Sequence, residues 1–176
     1  LAGRIDDRGD QPWLDAPTRL EILAEWREVV AAVQHLHALG LVHRDIKPAN
    51  VLVFADGRVC LSDFGLVKEL VASGDETETS TGAVLGTPLF MAPEQARGEV
   101  VDARADVYAL SVLLATQATG QRPTVELRCR QGSTLGRWKA AVELPSDVRR
   151  LILHGTDVDR ERRPADASAL WELACR

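Results

Sequence analysis

Apolar residues at Leu20, Ile22, Leu23, Trp26, Val29, Val30, Val33, Leu36 and Leu39 recur close to the spacing of one helix face. That pattern predicts a long amphipathic helix. Thr18 and Glu21 stand where the two partners of a capping box would, and Gly40 stops the pattern as a helix C-terminus prefers. The period then changes. Val51 to Phe54 and Val59 to Leu61 are short apolar runs on either side of Asp56-Gly57, which predicts a β-hairpin. From Val71 to Gly82 the chain is rich in Ser, Thr, Glu and Asp with no apolar period, the pattern of a loop. Ala105 to Ala118 is apolar nearly all round, with Asp106 near its start and Gly120 just beyond, so a buried helix is expected there. Two short helices follow, one on Val148, Leu151 and Ile152, the other on Ala167, Leu170, Trp171 and Leu173. The predicted fold is mostly α with a small β-hairpin element.

Composition narrows the function classes. The 176 residues carry 21 Lys and Arg against 26 Asp and Glu, a formal charge of −5, which disfavours a general nucleic-acid or anionic-membrane binder. No apolar run approaches the ~20 residues that span a bilayer; the longest, Val107 to Ala115, is broken by Tyr108 and Ser111. Cys60, Cys129 and Cys175 are odd in number and far apart, forming neither a disulfide framework nor a zinc cluster. A reducing, cytoplasmic setting is expected, or the cytosolic part of a larger protein. The chain opens on Leu1, as a piece of something longer does. The four tryptophans, Trp13, Trp26, Trp138 and Trp171, read as core or partly buried surface.

The chemistry concentrates between the long helix and the hairpin. In HRDIKPAN, His43 to Asn50, a potential base (Asp45), a cation (Lys47) and a metal-binding amide (Asn50) fall within six positions. Asp63-Phe64-Gly65 follows the hairpin directly, so a second carboxylate returns toward the first loop. Phosphoryl transfer needs such a set: a carboxylate to orient the attacking hydroxyl, a cation against developing charge, and oxygen ligands for Mg²⁺.

HRDIKPAN, DFG and GTPLFMAPE (Gly86 to Glu94), in this order, resemble the catalytic core of eukaryotic-type serine/threonine protein kinases. Five fixed positions, His43, Arg44, Asp45, Lys47 and Asn50, match by chance about 20⁻⁵ of the time per start point. The resemblance covers roughly residues 14 to 175 and corresponds to the C-terminal lobe (α+β) of the family's two-lobed domain, with the N-lobe absent. It implies a catalytic loop at 43–50, an activation segment at 63–94 and a helical remainder at 95–176. It also implies ATP and Mg²⁺ as cofactors and protein Ser/Thr hydroxyls as substrates. Asp45 would be the catalytic base, Lys47 would steady the γ-phosphate, Asn50 and Asp63 would hold Mg²⁺, and Thr87 would reach toward Asp45 and Lys47. His43 would pack and bond backbone. Asp106, an ordinary helix-start residue in most proteins, would brace the catalytic loop from below. Glu94 and Arg163 would form a buried structural ion pair.

Arg44 before the catalytic Asp implies control by loop phosphorylation through an upstream activating kinase, with Arg44 and Lys68 receiving the phosphate. Thr77, Thr79, Ser80 and Thr81 are candidates. Ala83 occupies the position three before Gly86, so Thr81 is preferred and Thr79 second. A solvated polar loop is the competing reading. Several positions depart from the family pattern: Phe90 for Tyr, Ser111 for Gly, Ala115-Thr116 for Tyr-Glu, and Arg160 for Pro. The stretch from Gln121 to Leu144 matches poorly. No glycine-rich loop and no Val-Ala-x-Lys strand precede His43. About forty residues stand there, half of them taken by the helix, too few for a lobe of five strands averaging ~5–6 residues. Two alternatives follow: a catalytically silent, kinase-derived protein-binding module, and a small-molecule phosphotransferase, the latter disfavoured by the peptide-docking GTPLFMAPE.

Overall fold

The computed structural model describes residues 16–63, 68–69, 89–121 and 144–176. Helix α1 (Ala16–Ala38) is followed by strand β1 (Leu41–Val42), a 3₁₀ turn (Pro48–Asn50), β2 (Val51–Val53), β3 (Val59–Leu61) and β4 (Lys68–Glu69). Helices α2 (Pro93–Ala96), α3 (Arg104–Thr119) and α4 (Ser146–Gly155), a second 3₁₀ turn (Arg160–Arg162) and α5 (Ala167–Ala174) complete the order.

Helix α3 is the centre. Every residue from Ala105 to Thr119 is buried, which is why its sequence lacks a polar face. It packs against α1 and α4, and α5 closes over α1 and α4. From α1, Ile22, Trp26, Val29, Val30 and Val33 enter the core at 2% exposure or less. The Trp26 indole N–H also donates to the Leu110 carbonyl at 2.9 Å, satisfying the ring's one polar atom inside the apolar layer. Leu20 and Leu39, at the two ends of the same apolar series, are 66% and 61% exposed. The helix begins at Ala16, two residues before Thr18, so the Thr18–Glu21 spacing does not mark its N-cap.

The expected hairpin forms, pairing Val51 with Leu61 and Val53 with Val59. Its turn uses Gly57 at φ 84, which a side chain would strain, and Asp56 Oδ1 accepts from the Arg58 N–H at 3.1 Å. A second antiparallel pair, Leu41 with Glu69 and Val42 with Lys68, joins β1 to β4. The loop expected at 71–82 lies outside the described residues.

Helices α3 and α4 approach through one small pair. A Cβ added at Gly155 would overlap Ser111 Oγ and stand 2.6 Å from Ser111 Cβ. Rotating the hydroxyl cannot relieve the second contact. The serine therefore fits only because its neighbour is glycine. Gly155→Ala is expected to cost about 1–3 kcal/mol by overpacking. The melting temperature should fall by roughly 3–10 °C, and Ser111→Gly in the same chain should restore most of it. A Gly155→Ala protein melting with the wild type would contradict this packing.

Candidate active site

The loop from His43 to Asn50 hangs from the first turn of α3. Asp106, fully buried, accepts the His43 backbone N–H on Oδ2 and the Arg44 N–H on Oδ1, both at 2.8 Å. A third group reaches the same carboxylate: His37 Nε2, at 3.0 Å from Oδ2. The Ala167 N–H at the start of α5 donates to His37 Nδ1 at 3.2 Å, so that nitrogen is an acceptor and Nε2 carries the proton given to Asp106. Arg44 sits at φ 70, a left-handed conformation that costs a non-glycine residue roughly 1–2 kcal/mol. The two amide bonds to Asp106 offset that strain.

His43 works through both ring nitrogens. The Asp45 N–H donates to Nδ1 at 3.3 Å, which leaves the proton on Nε2, facing the Ser62 carbonyl at 3.3 Å. The ring is fully buried and ties the 43–50 loop to the residue before Asp63.

Asp45, Lys47 and Asn50 meet at one oxygen. Asp45 Oδ2 accepts from Lys47 Nζ at 2.6 Å and from Asn50 Nδ2 at 3.0 Å, and the same amide nitrogen donates to the Asp45 carbonyl at 2.8 Å. Asp45 and Lys47 remain 27% and 38% exposed, so the pair is open to a substrate and is not a buried strut. With Nδ2 spent on Asp45, the Asn50 oxygen is the amide atom left for a cation. The hairpin then brings the next residues back. Beyond the Val51–Leu61 pair, the Asn50 carbonyl accepts from the Ser62 N–H at 2.8 Å and from Ser62 Oγ at 3.1 Å. Asp63 follows at φ 65 with an exposed side chain. An amide oxygen and a carboxylate are hard ligands of the kind Mg²⁺ takes, usually one or two per protein with the rest from phosphate and water. Among the described residues no cluster of three or more His, Cys, Asp or Glu side chains is placed to hold a metal. Asn50 and Asp63 thus offer a donor set whose chemistry fits Mg²⁺.

Beneath the loop, Arg163 donates to both Glu94 oxygens at 2.7 and 2.9 Å, with both side chains almost fully buried. Its remaining donors reach the Asp157 carbonyl at 2.7 Å and the Arg104 carbonyl at 3.2 Å, and the guanidinium lies 5.0 Å from the Tyr108 ring centre. Such a pair is fully satisfied. Arg44 is not: its Nε is buried without a hydrogen-bond partner among the described residues. Burial pushes its guanidinium pKa below the usual value, an effect the Asp106 charge opposes. Thr79, Thr81 and Thr87 lie outside the described residues, as do Phe64 and Gly65; Lys68 is placed in β4.

A protein kinase domain family model matches residues 18–172. The chain belongs to the protein kinase domain family. It is similar to the serine/threonine-protein kinase PknB of Mycolicibacterium smegmatis, 42% identical over 111 residues, which is 62% of this chain and 17% of that protein. It is also similar to the serine/threonine-protein kinase PknL of Mycobacterium tuberculosis, 44% identical over 102 residues, 58% of this chain and 25% of that protein. The matched segment thus spans a quarter or less of these relatives' lengths. No helix among the described residues is long and apolar enough to cross a membrane.

Sequence patterns missed two residues that bond to this loop and its neighbours. His37 continues the Trp26, Val30, Val33 stripe of α1, and a polar residue on an apolar stripe needs a buried partner. Gln95 stands three after Ala92 and accepts its N–H at 3.1 Å, a spacing that marks a short helix start.

Removing one member of the Glu94–Arg163 pair strands a buried charge. Glu94→Leu or Arg163→Met alone should cost about 3–5 kcal/mol in urea unfolding, and the double variant much less than the sum. Strictly additive losses would show that the two groups do not act together.

Proposed function

We propose that this chain supplies the catalytic lobe for transfer of the γ-phosphate of Mg²⁺-ATP to Ser or Thr hydroxyls of protein substrates. The supporting observation is the convergence of Lys47 and Asn50 on Asp45 Oδ2 while the hairpin returns Ser62 and Asp63 to the Asn50 carbonyl. Asp45 Oδ1 takes no hydrogen bond among the described residues and is the oxygen assigned to the substrate hydroxyl proton. Lys47 offsets negative charge as phosphoryl transfer proceeds, and Asn50 and Asp63 are the cation ligands. When bound, Mg²⁺ supplies charge neutralisation on the phosphates. The names of PknB and PknL support Ser/Thr rather than Tyr acceptors, as does Lys47 two positions after Asp45.

On this reading residues 43–50 are the catalytic loop, 63–94 the activation segment and 95–176 the helical remainder. The glycine-rich loop and the Val-Ala-x-Lys strand do not occur in this sequence. The N-lobe that covers ATP is therefore assigned to chain outside these residues. The buried Arg44 Nε, without a partner among the described residues, supports a loop phosphate as its counter-charge, placed on Thr81 by an upstream kinase, with Thr79 the second choice.

The test uses the full-length gene product, a protein substrate and γ-labelled ATP. Asp45→Asn and Asp63→Asn should each lower the transfer rate by at least about 10²-fold, and Thr81→Ala should remove activation while leaving the fold intact. Unchanged rates in the two aspartate variants would refute the assignment, and full activity in Thr81→Ala would remove the regulatory part.

A further inference from the structure

The peptide bond between Arg44 and Asp45 is held from both sides. Its N–H, on Asp45, donates to His43 Nδ1 at 3.3 Å. Its carbonyl, on Arg44, accepts from Gln95 Nε2 at 2.9 Å, a contact between residues 51 apart in sequence. Gln95 belongs to α2, the short helix that begins at the end of the activation segment, and its other amide atom, Oε1, accepts the Ala92 N–H at 3.1 Å. One side chain therefore fastens the end of that segment to the peptide plane that sets the Cα–Cβ direction of Asp45. This plane needs a second anchor because Arg44, at φ 70, is strained there.

We propose that Gln95 is a positioning residue for phosphoryl transfer, carrying the arrangement of α2 to Asp45 through the Arg44 carbonyl. The inference rests on the reading of Asp45 as the group that receives the hydroxyl proton. Glutamine suits the place because it offers one acceptor and one donor, and both are used. Glutamate has the same shape but only accepts: it keeps the Ala92 contact and sets a carboxylate oxygen against the Arg44 carbonyl. Lysine has the opposite deficiency, since it donates to the carbonyl and cannot cap Ala92.

The two substitutions therefore separate positioning from helix capping. In the full-length gene product, Gln95→Glu should lower kcat by about tenfold to 10²-fold with little change in KM for ATP, the loss expected when a reacting group is displaced. Gln95→Lys should retain the higher kcat of the two although it melts lower. If Gln95 only caps α2, the order reverses, with Gln95→Glu the more active as well as the more stable. That order overturns the proposal, as does a Gln95→Glu enzyme with wild-type kcat. Asp45→Asn, assayed alongside, distinguishes the other failure: if it keeps the wild-type rate, the reading of Asp45 falls and this inference falls with it. If either Gln95 variant does not fold, Gln95→Met, which removes both contacts, must lower kcat at least as far as Gln95→Glu was expected to; an unaltered kcat there also overturns it.

Discussion

The carboxylate of Asp106 is the point on which the loop from His43 to Asn50 depends. A buried carboxylate is costly unless its oxygens are satisfied. Here three donors meet it, the His43 and Arg44 amides and the His37 ring. Its place in the first turn of α3 adds the favourable end of the helix dipole. Helix α3 is buried from Ala105 to Thr119, so the carboxylate stands on a firmly packed element. The same group joins three parts of the chain: the end of α1 through His37, the 43–50 loop through two amides and, by way of the His37 ring, the start of α5.

From that anchor the site follows in short steps. Arg44 is held in a left-handed conformation, which turns the chain so that His43 points inward to Ser62 while Asp45 faces outward beside Lys47. Asn50 fastens the far end of the loop to Asp45 through its side chain and to Ser62 through its backbone. The strain at Arg44 and at Asp63, both at positive φ, lies at the two places where a side chain must be aimed against local preference. Stability and aim are thus divided: the apolar core around α3 carries the first, and a few buried polar contacts carry the second.

The sequence made the helices readable through their apolar patterns, and the hairpin through two apolar runs on either side of Asp56-Gly57. The expected buried helix at 105–118 differs from α3 by one residue at each end. The β1–β4 pair was not readable, since two residues per strand carry no period and their partners are far apart in sequence, Leu41 with Glu69 at 28 positions and Val42 with Lys68 at 26. The start of α1 was misplaced because a capping-box spacing can also occur inside a first turn. In the candidate site, HRDIKPAN marked the groups that meet at Asp45 Oδ2, and spacing alone suggested that Asp63 returns toward the loop. The partners of Asp106 and of the Arg44 carbonyl were hidden for another reason. His37 and Gln95 lie 69 and 51 residues from the groups they bond, and only the packing of α1 and α2 brings them there. Ser111 stood out as a departure from the family pattern, but its compensation by Gly155 needed the two helices side by side.

Amide hydrogen exchange at His43 and Arg44 in the full-length protein tests the anchor most directly. Both amides belong to a loop, yet each is bonded to a carboxylate with no exposure to water. Exchange as slow as that of the central α3 amides, released only by global unfolding, is the expected result. Exchange at the rate of an exposed loop would mean that Asp106 does not hold the 43–50 loop, and the order of dependence described above would be wrong.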